Sequence, residues 1–326
     1  MLEKTAREVK RRGGFSAVDD DEVKAIAEEA IERYAEEELG GLGEKSERFR
    51  HLFARLRADA RRIVLDTAAE LRRSDFEPMD FELNFSDAAR SPVLLGEGNA
   101  RAQLVGIVDR VDGWVHGDRL YLRVADYKTG KKSFSLSDVW YGLGLQMLLY
   151  LFALAPEGAE RDGREIVPAG VMYVPARSAL VAVDGAGDDG EIDKKRRGEL
   201  RRSGLVLADP DVIRAWEKDD EQLYIPLKRA RGGGWNPESV ASAAQMDRLY
   251  RHVRKTIASM ASELRGGAID ADPYFRSRTD RACENCDFFE ACRFAEGEAG
   301  EESRCLRKLS ADEVWALMDG EEESDA

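Results

Sequence analysis

The chain has 326 residues, 43% hydrophobic and 35% charged, long enough for one large domain or two modest ones with a full hydrophobic core. Its longest apolar run, 143–155, is interrupted by Gln146 and falls short of the roughly 20 residues that a membrane helix needs; the charged start MLEKTAREVKRR lacks the apolar stretch of a secretory signal, so a cytoplasmic protein with no membrane partner is expected. A net charge of −14 argues against tight, autonomous binding to nucleic acid, although the acid is concentrated in 28–47 and in the tail 321–325.

The chain opens abruptly in helix-like sequence, which suggests either a short relative or a piece of a longer protein. Helices are predicted over 19–39 and 44–73 from apolar residues at three- and four-residue spacing, among them Val23, Ile26, Ala30 and Ile31, then Phe49, Leu52 and Phe53. Gly40, Gly41 and Gly43 separate them. Strands follow at 79–85, 103–115 and 119–128, the last two divided by the turn pair Gly117-Asp118. Ser137-Asp138 starts a helix expected to run to Pro156. A buried strand is predicted at 169–174 and a loop or mobile insertion at 184–203. Further helices are expected at 211–216, 237–264 and 311–318. The domain plan is therefore a helical region (1–75), a core (76–265), a cysteine-containing segment (266–309) and a short helix with an acidic tail (310–326).

The stretch Leu104 to Gly130 carries the chemistry. A two-residue turn at Gly117-Asp118 sets Asp109 opposite Asp126, with Cβ atoms about 4.5–5.5 Å apart. Lys128, two residues on, shares that face with Asp126. Opposed carboxylates repel, and a divalent cation relieves the conflict: Mg²⁺ takes one or two carboxylates plus waters and a substrate phosphate. The backbone carbonyl of Tyr127 is a further ligand candidate. In this arrangement Lys128 orients a water or stabilises charge growing on phosphorus. The plainer alternative is that the two acids are surface groups paired with Arg110 and Lys128. Asp126 fits that less well, since it continues the alternation Leu120, Leu122, Val124.

These residues resemble the PD-(D/E)xK nuclease superfamily and, within it, the RecB-like branch. The D-x-K element reads Asp126-Tyr127-Lys128, the GxxD element reads Gly106-Ile107-Val108-Asp109, and a QxxxY element follows at Gln146 to Tyr150. Likeness to the nuclease domain of AddB-type subunits of bacterial helicase–nucleases extends through Phe76 to Glu82, Gly106 to Asp112, Tyr141-Gly142-Leu143, Pro168 to Val171 and Pro273-Tyr274. The resemblance implies an α/β restriction-endonuclease-like core, a mixed central sheet flanked by helices, with the helical region before it and the cysteine segment after it. It implies Mg²⁺- or Mn²⁺-dependent, exonuclease-type hydrolysis of a DNA strand, with an AddA-type partner supplying ATP-driven unwinding in double-strand-break repair by recombination. No G-x-x-x-x-G-K-[ST] motif occurs in this chain. Gln146, set among Leu143, Leu145, Met147, Leu148 and Leu149 of the expected helix, is a buried amide that must find partners: it either bonds nearby backbone in the core or, by the same likeness, sits near the metal-bound water or the scissile phosphate. Tyr150 either contacts DNA or belongs to the core, and Glu82 approaches the metal from a neighbouring strand.

Cys283, Cys286 and Cys292 match three ligands of that family's 4Fe–4S cluster, while the fourth, upstream in the family, has no counterpart here. A remnant site is expected, its missing ligand lost with an N-terminal segment. The alternatives are that Cys305 completes a cluster or a four-cysteine zinc site, or that the thiols are free. His51, His116 and His252 read as ordinary surface or core residues. The basic runs 194–197 and 228–231 are secondary candidates for gripping phosphates, although such runs are usually solvated faces. Two rival readings are a catalytically silent scaffold subunit of a helicase–nuclease and a zinc-ribbon DNA-binding module.

Overall fold

The computed structural model describes residues 2–87, 93–95, 101–156, 159–177, 188–230, 232–297 and 302–325. Three helices open the chain: α1 (Leu2–Arg11), α2 (Asp20–Glu37) and α3 (Glu47–Arg72). Next come β1 (Glu77–Asn84), β2 (Leu94–Leu95), β3 (Ala102–Gln103), β4 (Ile107–His116) and β5 (Arg119–Lys128). Helices α4 (Leu136–Trp140) and α5 (Gln146–Leu154) lead to β6 (Glu160–Arg161) and β7 (Arg164–Pro175). Then follow α6 (Asp189–Glu199), β8 (Ser203–Leu207), α7 (Pro210–Trp216), β9 (Val240–Ala241) and α8 (Ala243–Arg265). The C-terminal part holds β10 (Tyr274–Ser277), β11 (Asp280–Arg281), α9 (Phe289–Cys292), β12 (Arg304–Cys305) and α10 (Ala311–Asp325).

Seven strands form the central sheet in the order β1-β4-β5-β7-β8-β9, with β6 paired to β7. β5 runs parallel to β7 and β8 parallel to β9, whereas the β1–β4, β4–β5 and β7–β8 pairs are antiparallel. The sheet is thus mixed, and its flanking helices make it the α/β architecture expected. Its main core joins strand residues such as Val111, Val124 and Val171 to Met147, Leu148 and Leu151 of α5 and Leu249 of α8. A smaller core holds α1, α2 and α3 together through Val9, Val23, Ala27, Ala68 and Leu71, and reaches the sheet at Phe81. At the edge strand β1, Lys10 donates to the Pro78 carbonyl at 2.8 Å and Arg7 to the Phe81 carbonyl at 3.1 Å. Helix α1 thereby covers carbonyls that an open sheet edge would leave unpaired.

Three predicted boundaries shift, each for a local reason. The long helix of 137–156 is two helices, because Gly142 (φ +76°) and Gly144 (φ +65°) adopt left-handed backbone between them. Ser242 forms a capping box with Gln245, so α8 begins there, and Val240–Ala241 pairs with β8 instead of extending the helix. The stretch expected as an insertion, 184–203, contains α6 and the start of β8, with a Lys195–Glu191 pair at 3.3 Å along the helix. Its residues 184–187 lie outside the described residues.

Candidate active site

Gly117 takes φ +58° at the first position of a two-residue turn, and the hairpin it closes has the predicted register: His116 faces Arg119, Val111 faces Val124 and Arg110 faces Ala125. Opposed residues share a face, which places Asp109, Val111, Val124, Asp126 and Lys128 on one side. Arg110, Asp112, Arg123 and Tyr127 lie on the other. The ladder stops at Arg110–Ala125. Beyond it, the Tyr127 N–H donates to Asp109 Oδ2 at 2.7 Å, which fixes the carboxylate against β5 and leaves Tyr127 outside the β4–β5 ladder.

Asp126 is 4% exposed, and Lys128 Nζ lies 2.7 Å from its Oδ2. That contact is close but off the line of a hydrogen bond, since the buried Oδ2 has no aligned donor. Half of the plainer alternative therefore holds: Lys128 pairs with Asp126, but Arg110 points away from Asp109. Burial raises the Asp109 pKa above the usual carboxylate range, and the nearby Asp126 raises it further, against the pull of the Tyr127 N–H and Lys128. Asp126 and Lys128 thus both act on the Asp109 carboxylate.

Glu82 lies on β1 between the pairs Phe81–Arg110 and Leu83–Val108, beside Asp109, with a left-handed φ of +49°. Both residues line a cavity of about 330 Å³ together with Glu3, Thr67, Tyr127 and Thr129. Desolvation first, then Glu3, raises the Glu82 pKa. Among the described residues no three or more His, Cys, Asp or Glu side chains gather at metal-holding spacing.

Gln146 was expected to be a buried amide inside a helix. Instead it is the exposed first residue of α5, because the helix breaks before it, and its Nε2 donates to Tyr150 Oη at 3.1 Å. Tyr150 is 4% exposed and packs internally, stacked on Phe85 at 5.5 Å. A Cβ built on Gly106 would sit 2.3 Å from the Tyr150 hydroxyl. The glycine of the GxxD element thus makes room for the tyrosine of the QxxxY element, three residues before Asp109. The Tyr150 ring is part of the main core.

Two features escaped the sequence. Tyr173 on β7 is the register partner of Asp126, and its pKa is pushed up to about 12, by burial first and then by Asp126 and Asp138. Only the parallel β5–β7 pairing, invisible in either strand alone, brings it there. The second is a buried ionic cluster on the back of the hairpin. Glu70 of α3 accepts hydrogen bonds from Arg110 (2.6 Å), Arg123 (3.0 Å) and Arg202 (2.7 Å). Asp112 accepts from Arg123 at 2.8 Å and from Arg110 at 3.1 Å. Arg110 also donates to Tyr127 Oη at 2.8 Å, which lies 3.3 Å from Thr67 Oγ1. The residue whose backbone faces Asp109 is therefore anchored through its own side chain to α3. Arginines and an aspartate at alternate positions of apolar strands were the available signal.

The four cysteines form no disulfide; Cys283 is half-buried and Cys286, Cys292 and Cys305 are exposed. Parallel pairing sets Cys305 beside Phe275, on the strand that precedes the other three cysteines. Among the described residues, however, the thiols do not converge into a metal-holding group. His252 stacks on Trp140 at 5.0 Å and lies 3.0 Å from Glu321, and His116 stacks on Trp114 at 4.7 Å.

A family model for the PD-(D/E)XK nuclease superfamily matches residues 2–293. The chain belongs to that superfamily. Curated relatives include proteins named as a subunit of an ATP-dependent helicase/deoxyribonuclease, from Acetivibrio thermocellus (32% identical over 329 residues, 99% of this chain and 29% of the relative) and Clostridium novyi (31%, 97% and 28%). A third, from Desulforudis audaxviator, is 32% identical, covering 95% of this chain and 27% of the relative. The chain therefore spans less than a third of the length of these relatives. Among the described residues no helix is long and apolar enough to cross a membrane.

Proposed function

We propose that this PD-(D/E)XK domain hydrolyses phosphodiester bonds of a DNA strand with a divalent metal, as the nuclease part of a helicase–nuclease assembly in double-strand-break repair. The reading rests on the hairpin register, which holds as far as Arg110–Ala125 and directs Asp109 and Asp126 to one face, and on the Lys128 ammonium 2.7 Å from Asp126. The donor set suits a hard cation: two carboxylates, one with a buried oxygen lacking an aligned donor, and the nearby Tyr127 carbonyl. Asp109, Asp126 and that carbonyl would hold Mg²⁺ or Mn²⁺, which when bound polarises a phosphoryl oxygen and acidifies a water.

This chain's own residues supply the rest. The Tyr127 N–H locks the Asp109 carboxylate in one orientation. The Lys128 side chain is 32% exposed with its ammonium 2.7 Å from buried Asp126, and there it would meet an incoming phosphate and stabilise charge that grows in the transition state. ATP-driven unwinding falls to a helicase partner, since the curated relatives are named as one subunit of such an assembly.

Cleavage of end-labelled single-stranded DNA with and without Mg²⁺ tests the reading. Asp126→Ala and Lys128→Ala are each expected to reduce the rate by at least about 100-fold, the usual cost of losing one group that stabilises transition-state charge, with the circular dichroism spectrum unchanged. Retained cleavage in both variants would remove the proposal.

A further inference from the structure

Against a net charge of −14, one cleft has the opposite character. It is about 420 Å³ in volume and begins at Lys128 and Tyr173. Its walls are the chain leaving β5 (Gly130–Ser133), the end of β7 with Arg177, and the link from α6 to β8, with Lys228 also lining it. Among the described residues its lining contains seven lysines and arginines and a single acid, Glu199.

The basic groups divide by what they touch. Arg202 is committed to Glu70 and Asp66, and Arg201 donates to the Leu227 carbonyl. Lys131 Nζ lies 3.1 Å from the Glu199 carboxylate, and Arg177 approaches the same carboxylate at 3.8 Å while donating to the Glu199 carbonyl at 2.8 Å. Lys132 and Lys228 are exposed and, among the described residues, enter no ion pair and no side-chain hydrogen bond. An anionic group thus already sits where a lysine and an arginine converge, and two further ammonium groups stand outside any ion pair with a described residue, Lys228 acting only at longer range on Glu238. Among the described lining residues Tyr173 is the one aromatic, so stacking of successive bases has little to act on.

We propose that this cleft is a phosphate subsite of the nuclease, holding a backbone phosphate of the DNA strand next to the one that Lys128 meets, and that the Glu199 carboxylate occupies it until the strand displaces it. The inference rests on the reading of Asp109, Asp126 and Lys128 as a DNA-cutting site. It predicts recognition by charge alone, insensitive to base sequence and sensitive to salt.

Binding of the full chain to a labelled single-stranded oligonucleotide, followed by fluorescence anisotropy in EDTA across a KCl series, tests it without any cleavage. Lys132→Ala combined with Lys228→Ala is expected to weaken binding about 10-fold at low salt. It should also flatten the plot of log affinity against log salt by about 0.7, the contribution of one single-strand phosphate. Glu199→Gln is expected to tighten binding several-fold, because the phosphate no longer competes with a carboxylate. Unchanged affinity and salt slope in the double variant would overturn the proposal, as would weaker or unaltered binding by Glu199→Gln. The Asp126→Ala cleavage assay decides the cutting site separately, so a failure of the cleft and a failure of that site cannot be confused.

Discussion

Replacing Glu70 by glutamine removes the charge that three interior guanidinium groups share. Arg110 and Arg123 are 0% exposed and Arg202 is 3% exposed, while among the described residues Asp112 is the only other fully buried acid in the cluster. Removing one partner of a buried ion pair costs about 3–5 kcal/mol, because the remaining charge stays desolvated. The carboxyl's own titration gives a similar figure. Burial alone would raise its pKa, but Arg110, Arg202 and Arg123 outweigh burial and bring it from 4.5 to about 2. That drop corresponds to about 3 kcal/mol of stability.

The sign follows from the direction of the drop. The contribution is complete above pH 4.5, the unfolded value, and disappears as the pH falls towards the folded value of about 2. Urea denaturation followed by circular dichroism at pH 7 and at pH 3.5 measures both quantities. Glu70→Gln should lose about 3–5 kcal/mol at pH 7, and its stability should fall less steeply than the wild type's between the two pH values. A loss below about 1 kcal/mol, the size of an ordinary substitution, or an unaltered acid dependence would refute the argument. Either result would mean that the arginines find other counter-charges.

Two further predictions concern the front of the hairpin. Asp109→Asn keeps an oxygen for the Tyr127 N–H but removes a charge that burial and Asp126 both disfavour; the metal-free protein should gain about 0.5–2 kcal/mol in stability, and added Mg²⁺ should stabilise the wild type but not the variant in a thermal-shift assay. Gly106→Ala places a Cβ 2.3 Å from the Tyr150 hydroxyl at a backbone φ of +138°, so a loss of about 1–3 kcal/mol is expected, partly restored in a Tyr150→Phe background; additive losses in the double variant would show that the contact does not matter.

The hairpin was legible in the sequence because everything that defines it is local. A glycine-containing two-residue turn sets the register, the register sets the pairs, and the strand period of two then sets the faces. Asp109, Asp126 and Lys128 consequently fall together by counting alone. The helices α2 and α3 were legible for the same reason, their apolar spacing and the N-caps Asp19 and Ser46 being contiguous in the chain.

What the sequence could not decide are the contacts made across long separations. Tyr173 meets Asp126 only because β7 runs parallel to β5, a connection that passes through two helices. Glu70 reads as one more helical glutamate until α3 packs on the hairpin's reverse face and three arginines from different strands and loops close on it. Gln146 changed from a buried amide to an exposed one when two glycines ended the helix early, since glycines stop a helix only where packing supports the left-handed turn. Local chemistry set two acids and a lysine on one face of the hairpin. Tertiary packing decided which side chains support them, because charge inside a protein is tolerated only where distant partners arrive to neutralise it.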